Sequence, residues 1–134
     1  MQITALYAGL LGLILIFLSY KVAGNRKKHQ VGIGDGDNDE LSRAIRVHAN
    51  FTEYVPVALI LLAVSEVNHA NPLLVHIGGT VLVIGRLLHA YGLGKTASVS
   101  FGRFVGIVLT WLVILGLSGF NIFHFFTSTA LSNF

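Results

Sequence analysis

The chain has no cysteine among its 134 residues. That absence excludes a disulfide framework, a thiolate metal site and a cysteine nucleophile. Charge is scarce too. Asp, Glu, Lys and Arg make up 11% of the sequence, where a soluble domain carries about 25%. His29, His48, His69, His76 and His124 are scattered without metal-like pairing, so no metal site is expected. The net charge of +3 does not point to nucleic acid, because the basic residues lie between apolar runs and form no patch. What remains is apolar: 54% of the residues are hydrophobic and the mean hydropathy is +0.74. A 14.5 kDa globule cannot hide that much apolar surface from water, whereas a bilayer accepts it.

A spanning helix needs about 20 mainly apolar residues. Four stretches qualify, at about 3–23, 50–67, 72–91 and 104–126. The expected fold is an all-α, membrane-embedded four-helix bundle in one domain covering 1–134. The link Asn68-His-Ala-Asn71 is short, which implies an antiparallel hairpin. Pro72 suits the first position of the third helix. Pro56 lies inside the second span, where it removes one backbone hydrogen bond and should bend the helix.

All nine basic residues fall at one face: Lys21, Arg26, Lys27, Lys28, Arg43, Arg46, Arg86, Lys95 and Arg103. The positive-inside rule puts that face in the cytoplasm and both termini outside. Lys21 and the Arg26–Lys28 run follow the first span, and no positive segment precedes it. It therefore reads as a retained anchor and not a cleaved signal. The acidic stretch Gly32–Glu40 resembles the start of a calcium loop. Counting from Asp35, the twelfth position is Arg46, where an EF-hand needs a bidentate acid. A flexible, solvated loop is expected instead, with Asp37, Asn38 or Asp39 capping the next helix.

The entrance of the second span carries the chemistry. At about 100° per residue, with Arg43 at zero, Arg46 falls near 300°, Asn50 near 340° and Glu53 near 280°. These four share an arc of about 80°, while His48 points the other way, near 140°. The third span adds Arg86 and His89, three apart, with Tyr91 nearby, and Arg103 opens the fourth. Glu53 and Arg86 lie at comparable depth, and such a pair would tie the second helix to the third. One pair would still leave Arg43, Arg46, Asn50, His89 and Arg103 unexplained. An excess of arginine with one asparagine suits a small anion bearing carboxylates.

The pattern Arg43-x-x-Arg46-x-x-x-Asn50-x-x-Glu53-Tyr54-x-Pro56, then a hairpin, then Gly85-Arg-Leu-Leu-His-Ala-Tyr91, resembles the MAPEG family. These are membrane-associated proteins in eicosanoid and glutathione metabolism. The likeness covers roughly Leu41 to Gly106. It implies a homotrimer with glutathione, a co-substrate, bound between subunits near the cytosolic face. Arg46, Asn50, Glu53 and Tyr54 match positions that contact the tripeptide. Arg43 matches a basic position at the helix start, Arg86 the basic residue of the third helix, and His89 a ring-bearing contact. Tyr91 closes the same motif and is grouped with these contacts. Arg103, after a gap of two or three residues, is similar to the arginine that stabilises the thiolate.

Two departures point away from the eicosanoid activities, and the length and plain, Gly-rich character resemble the bacterial branch. Ala49 stands where some members have arginine. Gly92 or Leu93 stands where several have a second tyrosine. The resemblance then implies a transferase or peroxidase in a bacterial inner membrane, in contact with its lipids. A lipophilic small-molecule electrophile would enter from the bilayer between helices one and four. Two alternatives stay open. One is a non-catalytic member that binds glutathione or lipid, or acts as a scaffold for another membrane protein. The other is a small transporter, whose polar track would have to reach the far face. The glycine pairs 9/12, 102/106 and 116/119 read as helix-packing positions.

Overall fold

Four apolar runs become four helices. The computed structural model describes residues 1–95 and 100–131, with α1 at Gln2–His29, α2 at Asp39–Val67, α3 at Pro72–Lys95 and α4 at Phe101–Leu131. Residues 96–99 and 132–134 of the expected domain lie outside the described residues. Each helix is long and apolar enough to cross a membrane. The protein is an all-α integral membrane four-helix bundle.

Two helices overshoot the apolar runs at the basic end. α1 continues to His29, and α2 begins at Asp39. The stretch from Asp39 to Asn50 adds about 16 Å of helix ahead of the second span, and Arg43 and Arg46 stand on it. α2 then runs unbroken through Pro56.

Several side chains bridge the connection between α1 and α2. Arg26 Nη1 donates to the carbonyls of Val31, Gly32 and Gly34 at 3.3, 3.1 and 3.0 Å. Lys28 bonds Glu40 at 2.7 Å. Of the three cap candidates, Asn38 is used: its Oδ1 accepts from Leu41 N at 2.9 Å. Asp39 and Glu40 follow in the first turn of α2, where the helix dipole favours acids. The second connection is the expected hairpin. Asn71 Oδ1 accepts from Leu73 N at 2.9 Å, and Pro72 opens α3.

α2 and α3 each pack on the other three helices, whereas α1 and α4 make no close backbone contact among the described residues. The buried α2 residues Val47, Phe51, Val55 and Ala58 meet Leu11 and Leu18 of α1, Leu82 of α3 and Val113 of α4, while Leu62 packs with Tyr7 of α1 and Val75 of α3.

Polar locks close the far end. Glu66 accepts from Ile3 N and Thr4 N. Asn121 of α4 donates to Leu61 O at 3.1 Å and to Ser65 Oγ at 3.0 Å. The Tyr7 ring lies against Gly79, where any side chain would collide with it, and its hydroxyl donates to the His76 carbonyl at 3.0 Å.

The closest helix contact is α3 on α4. A Cβ added at Gly106 would lie 2.5 Å from both Gly85 O and His89 N. One added at Gly92 would collide with the backbone nitrogen of Arg103. Gly102 and Gly106 thus act as the packing pair read from the sequence. Gly9, Gly12, Gly116 and Gly119 do not act so within one chain, since a Cβ at any of them meets nothing within 4 Å.

Candidate functional site

The glycine contact between α3 and α4 decides where the polar residues meet. It brings the first turn of α4 against the last turns of α3, so Arg103 arrives beside His89. α2 supplies the third wall. Between them is a cleft of about 210 Å³ lined by Ser42, Arg43, Arg46, Asn50, His89, Leu93 and Arg103. Five of the residues predicted from sequence converge here: Arg43, Arg46, Asn50, His89 and Arg103.

Arg86 stands behind the cleft and not in it. Its side chain is fully buried. Nη2 donates to Asn50 Oδ1 at 2.7 Å and lies 3.3 Å from His89 Nδ1. The guanidinium carbon is 5.7 Å from the Phe51 ring centre and 6.0 Å from that of Tyr54, within cation–π range. Its Nε and Nη1 have no hydrogen-bond partner. Tyr54 is thereby placed as a wall of the Arg86 niche.

No ion pair joins Glu53 to Arg86 among the described residues, so the expected tie between those two is replaced by Arg86–Asn50. The reason is azimuthal. Asn50 and Glu53 differ by about 60° around α2, and only Asn50 turns toward α3. Glu53 faces outward, 3.9 Å from Arg46 Nη1, and the two side chains are 52% and 61% exposed. That is a long contact between exposed groups and holds little by itself.

Tyr91 lies apart from the other candidates. Two residues beyond His89, it is turned by about 200° and is 62% exposed. It flanks a separate, larger crevice of about 410 Å³ among α1, α2 and α3, with Ile14, Phe17, Ala44 and Leu87. Lys95 Nζ stands 4.3 Å above its ring centre. Conversely, two lining residues were not singled out as site residues. Ser42 falls near 260° on the same wheel, next to the arginine arc. Leu93 is one turn after His89, which a helical count from that residue reaches.

The cleft is a basic, donor-rich concavity. Arginines offer forked N–H groups that match carboxylates, and helix ends from three segments exclude water on three sides. Its fourth side is open, and Arg46 and Glu53 project there. His48 is elsewhere: its Nε2 lies 3.0 Å from Ser19 Oγ and joins α2 to α1.

The chain is similar to known proteins along most of its length. The model of the MAPEG family matches residues 4–123 of the chain. The chain is also similar to the protein named inner membrane protein YecN of Escherichia coli strain K12. The two are 45% identical over 91 residues, covering 68% of this chain and 70% of that protein. The protein of the same name in Escherichia coli O6:H1 matches to the same extent.

Proposed function

Because the chain belongs to the MAPEG family, we propose that its cleft binds glutathione and presents the thiol to lipophilic electrophiles dissolved in the membrane. The convergence of Arg43, Arg46, Asn50, His89 and Arg103 from three helices carries this reading. A tripeptide with two carboxylates and two amide carbonyls supplies the acceptors such a lining needs. Arg46 and Arg43 clamp a carboxylate, Asn50 donates to an amide carbonyl, and Glu53 receives the ammonium group at the open side. A free cysteine thiol ionises near 8.5. The Arg103 cation beside the sulfur favours the thiolate and so raises its fraction near neutral pH. The thiolate then attacks the electrophilic carbon. A C–S bond forms, and the displaced electron pair leaves with the leaving group. The protein forms no covalent bond, consistent with a chain without cysteine, and gains rate by positioning.

The open side motivates a homotrimer. About 210 Å³ is below the range of about 300–1,000 Å³ typical of ligand pockets. Charged Glu53, just inside the second span, cannot face lipid without cost. A neighbouring copy set against α2 resolves both points, and it places a neighbour's α1 near α4, where an electrophile could enter. The relatives' name and the basic asymmetry favour a bacterial inner membrane, with the cleft toward the cytoplasm.

The test is an equilibrium titration of the solubilised protein with glutathione and with its desthiol analogue, read by thermal shift. Both ligands are expected to raise the Tm, since the carboxylates carry most of the binding. No shift with either would overturn the reading. One observation favours a second reading, binding without chemistry: the group at the cleft wall one turn beyond His89 is Leu93, which has no hydroxyl to offer the sulfur. Consumption of a lipophilic electrophile that depends on the thiol separates the two. A transporter finds less support. Beyond the cleft the core of α2 is Val55, Ala58 and Leu62, and the far-end polar groups Glu66 and Asn121 are engaged in helix locks.

A further inference from the structure

Arg86 is a fully buried cation in the third span, with no carboxylate ion pair among the described residues. A buried charge without an opposite partner is destabilising. A side chain of such cost has to serve something that an apolar residue of the same shape would not.

Its hydrogen bonds say what. A guanidinium is a donor only and keeps its charge in proteins. The Asn50 atom 2.7 Å from Nη2 must therefore be the carbonyl oxygen, since the amide nitrogen there would set donor against donor. The His89 atom 3.3 Å from the same Nη2 must be an unprotonated nitrogen. With Nδ1 accepting, the neutral imidazole carries its proton on Nε2. One NH2 group has two hydrogens, and these two contacts use both. The polar atoms that remain to Asn50 and His89 are then the amide NH2 and the Nε2–H. Both residues line the cleft, and both are left as donors.

We propose that Arg86 is a positioning residue that sets the polarity of the cleft, holding Asn50 and His89 in the one arrangement in which both donate. This rests on the reading of the cleft as the ligand site, and it specifies that reading further. The ligand atoms that meet these two residues are acceptors: carboxylate or carbonyl oxygens, or a thiolate sulfur. An ammonium group is excluded from that wall and has to lie toward Glu53. Ser42 is the one side chain of the lining that could accept there.

The experiment is nitrogen-15 NMR of the histidine-labelled full chain in detergent, with His89 assigned by its loss in His89→Gln. The long-range proton–nitrogen pattern at pH 8 distinguishes the two neutral tautomers. The wild type is expected to show His89 as the Nε2–H tautomer. Arg86→Met, which keeps length and removes the donors, is expected to mix the tautomers and weaken glutathione binding by about tenfold. Arg86→Lys restores a donor and should recover most of the tautomer preference. An Nδ1–H tautomer in the wild type overturns the proposal, and that measurement needs no variant to fold. An unchanged tautomer in Arg86→Met overturns it as well. If the wild type shows the expected tautomer and its loss in Arg86→Met but binds no glutathione, the role of Arg86 stands and the glutathione reading fails.

Discussion

Glu66 caps a helix more than sixty residues away: its Oε2 accepts from Thr4 N at 2.8 Å, while Oε1 accepts from Ile3 N at 3.0 Å. The first N–H groups of a helix have no partner of their own, and α1 lacks an acidic first turn. A carboxylate from the end of α2 fills both needs and fixes α1 on α2 at the far end. Glu66→Ala should lower stability by about 1–2 kcal/mol, seen as a lower Tm in detergent. Glutathione affinity of the folded protein should stay the same, since the cleft is at the opposite end of α2. A Tm equal to that of the wild type would show the cap to be dispensable.

Gly106 and Gly116 are on the same helix and make opposite predictions. A side chain at Gly106 would press on Gly85 O and His89 N. Gly106→Ala should force α3 and α4 apart, cost about 1–3 kcal/mol, and move His89 relative to Arg103. Stability and ligand affinity should fall together. Gly116 has open space within the chain, and alanine is the better helix former by about 1 kcal/mol. Gly116→Ala should leave both properties unchanged or slightly improved. If Gly116→Ala instead breaks the oligomer on a sizing column, this face of α4 packs on a neighbouring copy.

Orientation is testable without the ligand. All nine basic residues lie toward one end, and the proposal sets that end in the cytoplasm. A reporter fused after Phe134 that is active only outside the cytoplasm should be active, and one active only inside should be silent. The reverse pattern would place the cleft on the outer face.

How much of this could be read from the chain depends on the physical range of each signal. The spans were legible because about 20 apolar residues in a row have one economical fate. The polar extensions of α1 and α2 were not, since water-facing turns leave no hydropathy trace. Angle around a helix was legible where counting stayed on one helix: Arg43, Arg46 and Asn50 do share a face, and Ser42 follows from the same wheel. It failed where nearness in sequence replaced angle. Tyr91 follows His89 by two residues and so faces α1. Depth alone suggested Glu53 with Arg86, but depth says nothing of azimuth, and Asn50 takes that place. The Glu66 cap and the Tyr7–Gly79 contact join segments whose separation no local pattern encodes.

The arginine arc separates a ligand site from a structural seam. Truncating one partner of a desolvated charged contact costs about 2–5 kcal/mol, or roughly 30- to 4,000-fold in affinity. Arg46→Ala and Glu53→Ala should therefore abolish measurable glutathione binding. Neither should lower the Tm of the unliganded protein much, because their mutual contact is long and exposed. His48→Ala is the control. It removes the contact to Ser19 Oγ and so loosens α1 on α2, yet it should bind glutathione as the wild type does. Equal binding by Arg46→Ala and His48→Ala would make the arc structural.

Arg103 should behave differently from Arg46, and the sign of the difference can be worked out. A cation beside a thiol stabilises the thiolate and lowers the thiol pKa. Removing it raises that pKa back toward about 8.5. The thiolate is the attacking form, so the rising limb of rate against pH should move to higher pH in Arg103→Ala. Affinity should change by less than about tenfold, because the carboxylates are held by Arg43 and Arg46. Arg103→Lys should keep part of the shift, since a point charge replaces the fork. The measurement is conjugation of a lipophilic electrophile from about pH 6 to pH 9 at saturating glutathione, together with titration of the bound thiolate by its ultraviolet absorbance. An Arg103→Ala profile that falls in height without moving along the pH axis would assign Arg103 to binding alone and leave the thiolate to another group.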